Sequence, residues 1–537
     1  MLAVMAWVLF PGRHHLLTRF QLETLARACR PGALRDAAGR PFTGRVDGII
    51  WAVTSANHAG TRRNPLPAHR REAAIERAAA ALPARSLVYH VDDRGATPRF
   101  AEYVLKQVEV DSGGRLRLTP RNTVVGCSTP EVIAQYEKLG FRILPFELAD
   151  RATGALTART PWQVLESLVA SGLGGGDWRT DEAFARDAAP ESRELYLKYG
   201  YGDLLLDLHR KPVLTEDGDL TATRDYNTYA RAFDEGAERK YEQIKDLVVP
   251  GRIVDIGCCA GAVLRLLSRD DRLRESDLYG IEVARPLYAE CLHRKERGDF
   301  GQSNVFFYQA DAVGRALFSP RSVSTFTTFA LTHEVESYHG RAALRRFVRL
   351  LRRQLAPGGR WLNVDVVGPE DKEKTVWMGL NRDDGTADGW DKAFKDRARL
   401  RDHLEKLSTY GRFLRFARDF RKDYGGRLRY EADPSRPGFV RLRLRDACEF
   451  LSKKDYTDNW DSELHETFCF WSLSDWKAEL ARAGLRAHEG SRAFTNPWLV
   501  ENRYRGRVEL LREGKKGLEP LPYPVTNMRL VAENPGP

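Results

Sequence analysis

Apolar residues recur along this chain in two series of short runs separated by amphipathic stretches. In residues 1–170 the runs are Ala3–Phe10, Gly48–Ala52, Ser86–His90, Thr123–Gly126 and Phe141–Pro145, and the stretches include Leu17–Ala28 and His69–Ala81. Short apolar runs bounded by turn formers read as buried strands, and strands alternating with helical patterns predict a parallel sheet covered by helices. A glycine-rich segment around 173–183 then reads as a linker. The alternation resumes at Arg252 and runs to about Val367. It predicts a strand opening at Arg252, a helix over Ala262–Ser268, strands over Asp277–Glu282, Asn304–Gln309 and Ser324–Ala330, and a helix over Arg341–Leu355. Ala356-Pro-Gly-Gly359 ends that helix, and Arg360–Val366 is the fifth strand. Between Gly368 and Phe468 the period becomes helical and basic-aromatic, as in Phe413–Phe420, which predicts an inserted cap. From Ser474 the alternation returns, with a helix over Trp476–Ala483 and strands within Leu485–Phe494 and Asn527–Ala532.

The expected organisation is an α/β domain over 1–172, a linker over 173–225, a second α/β core over 226–367, a helical insertion over 368–472 and a return to the core over 473–537. A length of 537 residues agrees with more than one core. The net charge of +11 invites a nucleic-acid reading. The basic residues are nevertheless dispersed among Asp and Glu, and the densest run, Arg341–Arg353, alternates with Leu, Phe and Val as a solvated helix face does. Seven cysteines without CxxC spacing fit a reducing compartment. Met1–Phe10 is apolar but short, with no basic start and no cleavage site, so it reads as a strand and not as a signal peptide. No other run approaches a membrane span. The expectation is a cytoplasmic protein with no membrane partner.

The chemistry concentrates in the second series. Arg252-Ile-Val-Asp-Ile-Gly-Cys-Cys-Ala-Gly261 runs from a strand into a glycine-bearing turn, where Gly257 and Gly261 permit tight bending and close ligand approach. Glu282 ends the next strand, 21 positions after Gly261, where a carboxylate can accept both ribose hydroxyls of an adenosine. Ala310-Asp311-Ala312 ends the third strand and sets a carboxylate beside the place of an adenine amino group. These motifs, with Leu-Ala-Pro-Gly-Gly ahead of the fifth strand, resemble the ordered motifs of class I methyltransferases over about 120 residues plus the returning strands. The GxxxG spacing after an Asp-bearing strand disfavours the alternative, a nicotinamide dehydrogenase with GxGxxG. The resemblance implies S-adenosylmethionine as cofactor, with Asp255, Gly257, Cys258 and Gly261 at its methionine end, Glu282 at the ribose, and Asp311 and Ala312 at the adenine. The family usually carries glycine where this chain has Cys259.

Methyl transfer often needs a base for the acceptor's proton. Thr332-His-Glu-Val-Glu-Ser-Tyr-His339 follows the fourth strand, which makes His333 and Glu334 candidates. Glu-Leu-His-Glu466 closes the insertion and adds His465 and Glu466. His333, His339, His465 and Glu466 are of metal-ligating type, yet their spacing is not HExxH, and no metal site is assigned. Thr495-Asn-Pro-Trp498 and Arg503-Tyr504 are candidates to line an acceptor pocket, with ordinary edge packing as the alternative.

Phe10-Pro-Gly-Arg-His-His-Leu-Leu-Thr-Arg-Phe-Gln21, followed by a strand ending at Ser55 and by Asn64-Pro, resembles the nucleotidyltransferases of the HIGH superfamily. The resemblance implies nucleotide contacts from Gly12, Arg13, Thr18, Gln21 and Ser55, with Arg159 and Thr160 at a late phosphate turn and Mg²⁺ neutralising a triphosphate. Phe20 and Gln21 depart from the family's Gly and His, which puts transfer activity in doubt. The fold class expected is thus two Rossmann-like α/β domains, nucleotidyltransferase-like and methyltransferase, the second with a large helical insertion. The leading expectation for function is methylation of a small molecule, one carrying a nucleotide handle. The alternatives are an RNA methyltransferase that uses Arg412, Arg415 and Arg418, and a non-catalytic sensor of nucleotide and S-adenosylmethionine.

Overall fold

Five of the apolar runs pair side by side near the N-terminus. In the computed structural model, which describes residues 5–30, 32–42, 45–93, 97–150, 153–210, 226–425, 428–515 and 517–536, the chain divides into two units, Met1–Thr221 and Ala222–Pro537. The first contains β1 (Met5–Gly12), α1 (Arg19–Ala28), β2 (Arg45–Thr54), α2 (Ala68–Ala79), β3 (Arg85–Val91), α3 (Phe100–Asp111), β4 (Thr123–Cys127), α4 (Pro130–Lys138) and β5 (Arg142–Pro145). The sheet order is β3-β2-β1-β4-β5, all parallel. Successive side chains leave a strand on opposite faces. Val8 and Phe10 accordingly join one apolar cluster with Leu25 and Ile75, while Trp7 and Leu9 join another with Val104 and Ile133. Burial on both faces is what near-continuous apolar strands require.

A small hairpin follows, β6 (Leu148–Asp150) with β7 (Ala155–Leu156), and then α5 (Pro161–Leu173), α6 (Glu182–Asp187), α7 (Pro190–Tyr199) and α8 (Tyr201–His209). The described part of the stretch expected to be a linker is therefore helical. Gly174-Gly175-Gly176 only ends α5. Beyond it Trp178, Phe184, Tyr196 and Leu206 bury together with Leu165 and Leu168. At Gly202 a Cβ would lie 2.3 Å from the Trp178 ring, so glycine there admits the indole. The rest of that stretch, 211–225, lies outside the described residues.

The second unit opens with α9 (Tyr226–Ile244) and continues with β8 (Arg252–Ile256), α10 (Ala262–Leu267), β9 (Asp277–Glu282), α11 (Arg285–Glu296), β10 (Val305–Gln309), β11 (Val323–Phe329), α12 (Thr332–Gln354) and β12 (Leu355–Val366). These five strands are parallel in the order β10-β9-β8-β11-β12. Helix α12 starts earlier than the periodicity predicts and carries one non-helical residue, Gly340, at φ 79°. The Pro-Gly-Gly segment lies inside β12 instead of forming a separate terminator.

Residues 368–472 are not purely helical. They hold β13 (Thr375–Leu380), α13 (Arg397–Lys406), α14 (Thr409–Asp419), β14 (Tyr430–Ala432), β15 (Phe439–Arg443), α15 (Leu444–Lys453) and α16 (Trp460–His465). The chain then returns through α17 (Leu473–Arg482), β16 (Arg486–Ala487), β17 (Arg492–Phe494), β18 (Val508–Gly514), β19 (Gly517–Pro520) and β20 (Asn527–Glu533). Strand β20 runs antiparallel to β12 and pairs with β16 and β17, which extends the main sheet to eight strands. Strands β18 and β19 join the insertion in an antiparallel sheet, β14-β15-β13-β18-β19. Trp377 of β13 faces Arg441 of β15 and Leu511 of β18, 64 and 134 positions away, which no local period reveals. Its core gathers Phe413, Phe416, Phe450 and Trp460. Arg415 bonds Asp419 at 2.5 Å, Arg418 bonds Asp419 at 2.7 Å and Arg412 bonds Asp455 at 3.0 Å. The three arginines expected to meet RNA are thus engaged within the insertion. No helix among the described residues is long and apolar enough to cross a membrane.

Candidate active site

The register of the main sheet brings the motif residues to one edge. Asp255 pairs with Gly280 and Thr327, and Glu282 pairs with Gln309, so the turns after β8, β9 and β10 are neighbours. The turn after β8 places Gly257 at φ 70°, Cys259 at φ 52° and Gly261 at φ 76°. The amides of Gly257 and Cys258 both donate to the Ile281 carbonyl, at 2.8 and 3.2 Å, tying the turn to β9. Cys258 offers the turn only its backbone, because its thiol is buried 4.0 Å from Cys291 Sγ. Cys259 holds a left-handed conformation that strains a residue with a Cβ. Cys259→Gly is therefore expected to stabilise the protein by about 1 kcal/mol. A urea midpoint that stays or falls would show that side-chain contacts outweigh the strain.

Glu282 is 5 % exposed, and its carboxylate accepts three backbone N–H groups, from Cys259 at 2.9 Å, Val283 at 2.8 Å and Ala284 at 2.9 Å. A carboxylate has about four acceptor positions, so the three amides orient it and leave it able to accept more. Burial pushes its pKa up to about 7 while the amides pull against that rise. Asp255, 2 % exposed, accepts from the Thr327 hydroxyl at 2.7 Å and is likewise pushed up to about 7 by burial. Asp311 is half-buried and accepts from the Val313 amide at 2.8 Å, with Ala312 buried next to it.

Along the same edge, β12 supplies a residue that sequence reasoning missed. Asp365 Oδ1 lies 2.6 Å from His333 Nδ1, and His333 Nε2 lies 3.3 Å from Glu466 Oε2. Asp365 also accepts from the Thr332 amide at 2.7 Å, the Thr332 hydroxyl at 2.6 Å and the Val366 amide at 2.8 Å. All three members of this carboxylate–imidazole–carboxylate chain are buried. The flanking acids raise the His333 pKa well above its ordinary value against the desolvation that opposes it, and His333 draws Asp365 below the carboxylate range. Both ring nitrogens of His333 thus face a carboxylate oxygen, an arrangement that favours the imidazolium. The only sequence signal for Asp365 was an acid inside an apolar strand, Leu-Asn-Val-Asp-Val.

The insertion delivers Glu466. Lys453 pairs with Glu449 at 2.7 Å, and its ammonium also donates to the Glu466 carbonyl. Glu449 accepts the amides of Phe468 and Cys469 at 2.9 and 2.8 Å. Tyr338 donates to Glu466 Oε1 at 3.2 Å. Adjacent His465 points elsewhere, with Nε2 3.4 Å from Asp423, and His339 is exposed. Among the described residues no group of three or more His, Cys, Asp or Glu is arranged to hold a metal ion. A cavity of about 830 Å³ is lined by Lys240, His333, Glu334, Asp365, Glu466 and Asn496, among others. Trp498 and Tyr504 do not line it; Trp498 is exposed with the Arg503 guanidinium 5.4 Å from its ring, and Tyr504 is buried in the core of the insertion.

No protein-family model matches the chain, and no curated protein matches it. Solved structures of similar fold include the YcgJ protein of Bacillus subtilis, at 14% identity over 58% of this chain and 100% of that one, with a TM-score of 0.29. An S-adenosylmethionine-dependent methyltransferase from Mesorhizobium loti is 14% identical over 56% of this chain and 99% of its own, with a TM-score of 0.30. Geranyl diphosphate C-methyltransferase of Streptomyces coelicolor is 11% identical over 58% and 85%, again with a TM-score of 0.30.

In the N-terminal unit the sheet order reverses between β1 and β4, where doubly wound sheets bind ligands at their carboxyl edge. A cavity of about 990 Å³ opens there, lined by Gly12, Arg13, Ser55, Asp93, Arg99 and Cys127, among others. Arg71, fully buried on α2, donates to the carbonyls of Arg13, Thr54 and Ser55 at 3.0, 2.7 and 2.8 Å and so fixes two of the strand ends. Thr18, Gln21, Arg159 and Thr160 do not line this cavity. Thr18 and Gln21 form the capping box of α1, and Gln21 Nε2 donates to Glu147 at 2.8 Å. Thr160 caps α5 in the same way, and Arg159 pairs with Asp187 at 3.0 Å. Both hydroxyls are thus committed to helix starts. Thr18→Ala should cost about 1 kcal/mol of stability, seen as an earlier thermal transition. An unchanged transition would contradict the capping assignment.

Proposed function

We propose that the C-terminal unit is an S-adenosylmethionine-dependent methyltransferase acting on a small molecule whose nucleotide handle is held by the N-terminal unit. The observation that carries this reading is Glu282, a buried carboxylate oriented by three amides beside a glycine turn. Its remaining acceptor position, on Oε2, suits one hydroxyl of a ribose diol. Gly257 and Gly261 admit a ligand close to the backbone, Asp311 suits an adenine amino group, and Asp255 stands below the turn. Bound there, S-adenosylmethionine supplies a methyl group on an electrophilic sulfonium.

The chain's own residues then have to align the acceptor and take its proton. Glu466 is the proton acceptor in this reading, and His333 and Asp365 hold it in place. A proton arriving on Glu466 reduces the net charge of the buried chain of groups from −1 to 0, which a low-dielectric site favours. Glu334 lines the same cavity. For the N-terminal unit, Gly12, Arg13 and Ser55 on one cavity support nucleotide binding. Gln21, bonded to Glu147, offers no charge for phosphoryl chemistry, so binding and not transfer is proposed there.

The test is incubation of the full chain with methyl-labelled S-adenosylmethionine and fractionated extract, followed by sizing of the labelled product. A small labelled product supports the reading. A nuclease-sensitive polymer would replace it with RNA methylation.

A further inference from the structure

Lys240 is a cation inside the second unit that the site described above leaves unused. It lies on α9 three residues after Ala237 and four before Ile244, both fully buried against Val263, Leu264 and Phe329. That spacing puts Lys240 on the face of α9 turned to the core. Its ammonium rests 3.3 Å from the centroid of the Phe233 ring and 5.8 Å from that of Phe329. Phe329 ends β11 one residue beyond Thr328, which pairs with Ile256, so Phe329 stands level with Gly257. Lys240 also lines the 830 Å³ cavity with His333 and Glu334.

A lysine ammonium has three donors and is strongly hydrated. Two aromatic faces stabilise its charge but accept no hydrogen bond of ordinary strength. Burial lowers its pKa to about 8, while the carboxylates of Asp255 and Asp234 work to hold the charge. The setting is thus a half-desolvated cation on the wall of a cavity, within electrostatic reach of Asp255 at the end of β8. An anionic group fits there.

We infer that Lys240 is the receptor for the carboxylate of the cofactor's amino-acid end, and so selects S-adenosylmethionine over adenosine thioethers that lack that group. The inference rests on the methyltransferase reading and goes beyond it, since no motif contains Lys240. In this role Lys240 binds and orients the cofactor and takes no part in bond making.

The test is calorimetric titration of the full chain and of Lys240→Met, each with S-adenosylmethionine and with 5′-methylthioadenosine, which keeps the adenosine and lacks the carboxylate. The expected result is a loss of at least tenfold in affinity for S-adenosylmethionine in Lys240→Met, as for loss of a charge-assisted hydrogen bond, with no change for 5′-methylthioadenosine. Equal losses for both ligands would make Lys240 a support of the fold and overturn the inference. So would unchanged S-adenosylmethionine binding in Lys240→Met. A wild type that binds neither ligand removes the methyltransferase reading itself, and this inference with it.

Discussion

Glu282→Ala is expected to weaken S-adenosylmethionine binding by at least tenfold. A hydroxyl bond to a charged acceptor is worth about 1.5–3 kcal/mol, which corresponds to a factor of about 10 to 10². The substitution also strips three amides of their acceptor, at Cys259, Val283 and Ala284, and so loosens the turn. Glu282→Gln separates the two effects. It keeps the shape and one acceptor oxygen but turns an NH₂ toward the donors, and it should also bind at least tenfold more weakly while its melting temperature moves less than that of the alanine variant. A melting temperature that falls with undiminished binding would remove Glu282 from the cofactor site.

The same group sets a pH dependence. Burial raises the folded pKa of Glu282 to about 7, so acid below that value protonates it. The neutral acid accepts fewer hydrogen bonds, and affinity should weaken as pH falls from 8 to 6. The effect on stability has the opposite sign. A carboxyl with a raised folded pKa contributes stability that is present below its ordinary range, about 4.3 for glutamate, and is lost as pH rises through about 7. Saturating cofactor should offset that loss.

His333→Ala is expected to cost about 3–5 kcal/mol of stability, because it leaves two buried carboxylates facing each other without a cation. The side chains of Asp365 and Glu466 are 0 % and 2 % exposed, so water cannot replace the imidazolium. Apolar or neutral groups of similar shape can often replace a buried ion pair at little cost. The triple variant His333→Leu, Asp365→Asn, Glu466→Gln should therefore recover much of the lost stability. It should remain without methyl transfer, which separates the chemical role from the structural one. A triple variant with wild-type turnover would show that the buried chain of groups only supports the fold. The raised His333 contribution is fully present below the ordinary imidazole pKa and is lost as pH rises through its elevated folded value. The Asp365 contribution is present above the ordinary carboxylate range and is lost as pH falls through its depressed value. Between those limits the contribution of this pair is flat.

Strands β8 to β11 were legible because a strand buried on both faces must be apolar along its length, and because turns bound each run. Glu282 was legible for a related reason, as a carboxylate interrupting that pattern at a strand end. Asp365 interrupts β12 in the same way, but its partners His333 and Glu466 stand 32 and 101 positions away, and only tertiary packing joins them. The capping box at Thr18 and Gln21 illustrates the converse ambiguity. A Thr-x-x-Gln spacing serves a helix start as readily as a nucleotide contact, and the sequence alone does not say which bond the side chains make. The glycines after α5 imitate a linker for the same local reason, although Trp178 and Phe184 beyond them belong to a core.

The most direct measurement is calorimetric titration of the full-length protein with S-adenosylmethionine near pH 8. Saturable binding at one site per chain is expected, lost or weakened at least tenfold in Glu282→Ala. A folded wild-type protein that shows no saturable binding, or a Glu282→Ala variant that binds as tightly as wild type, would contradict it.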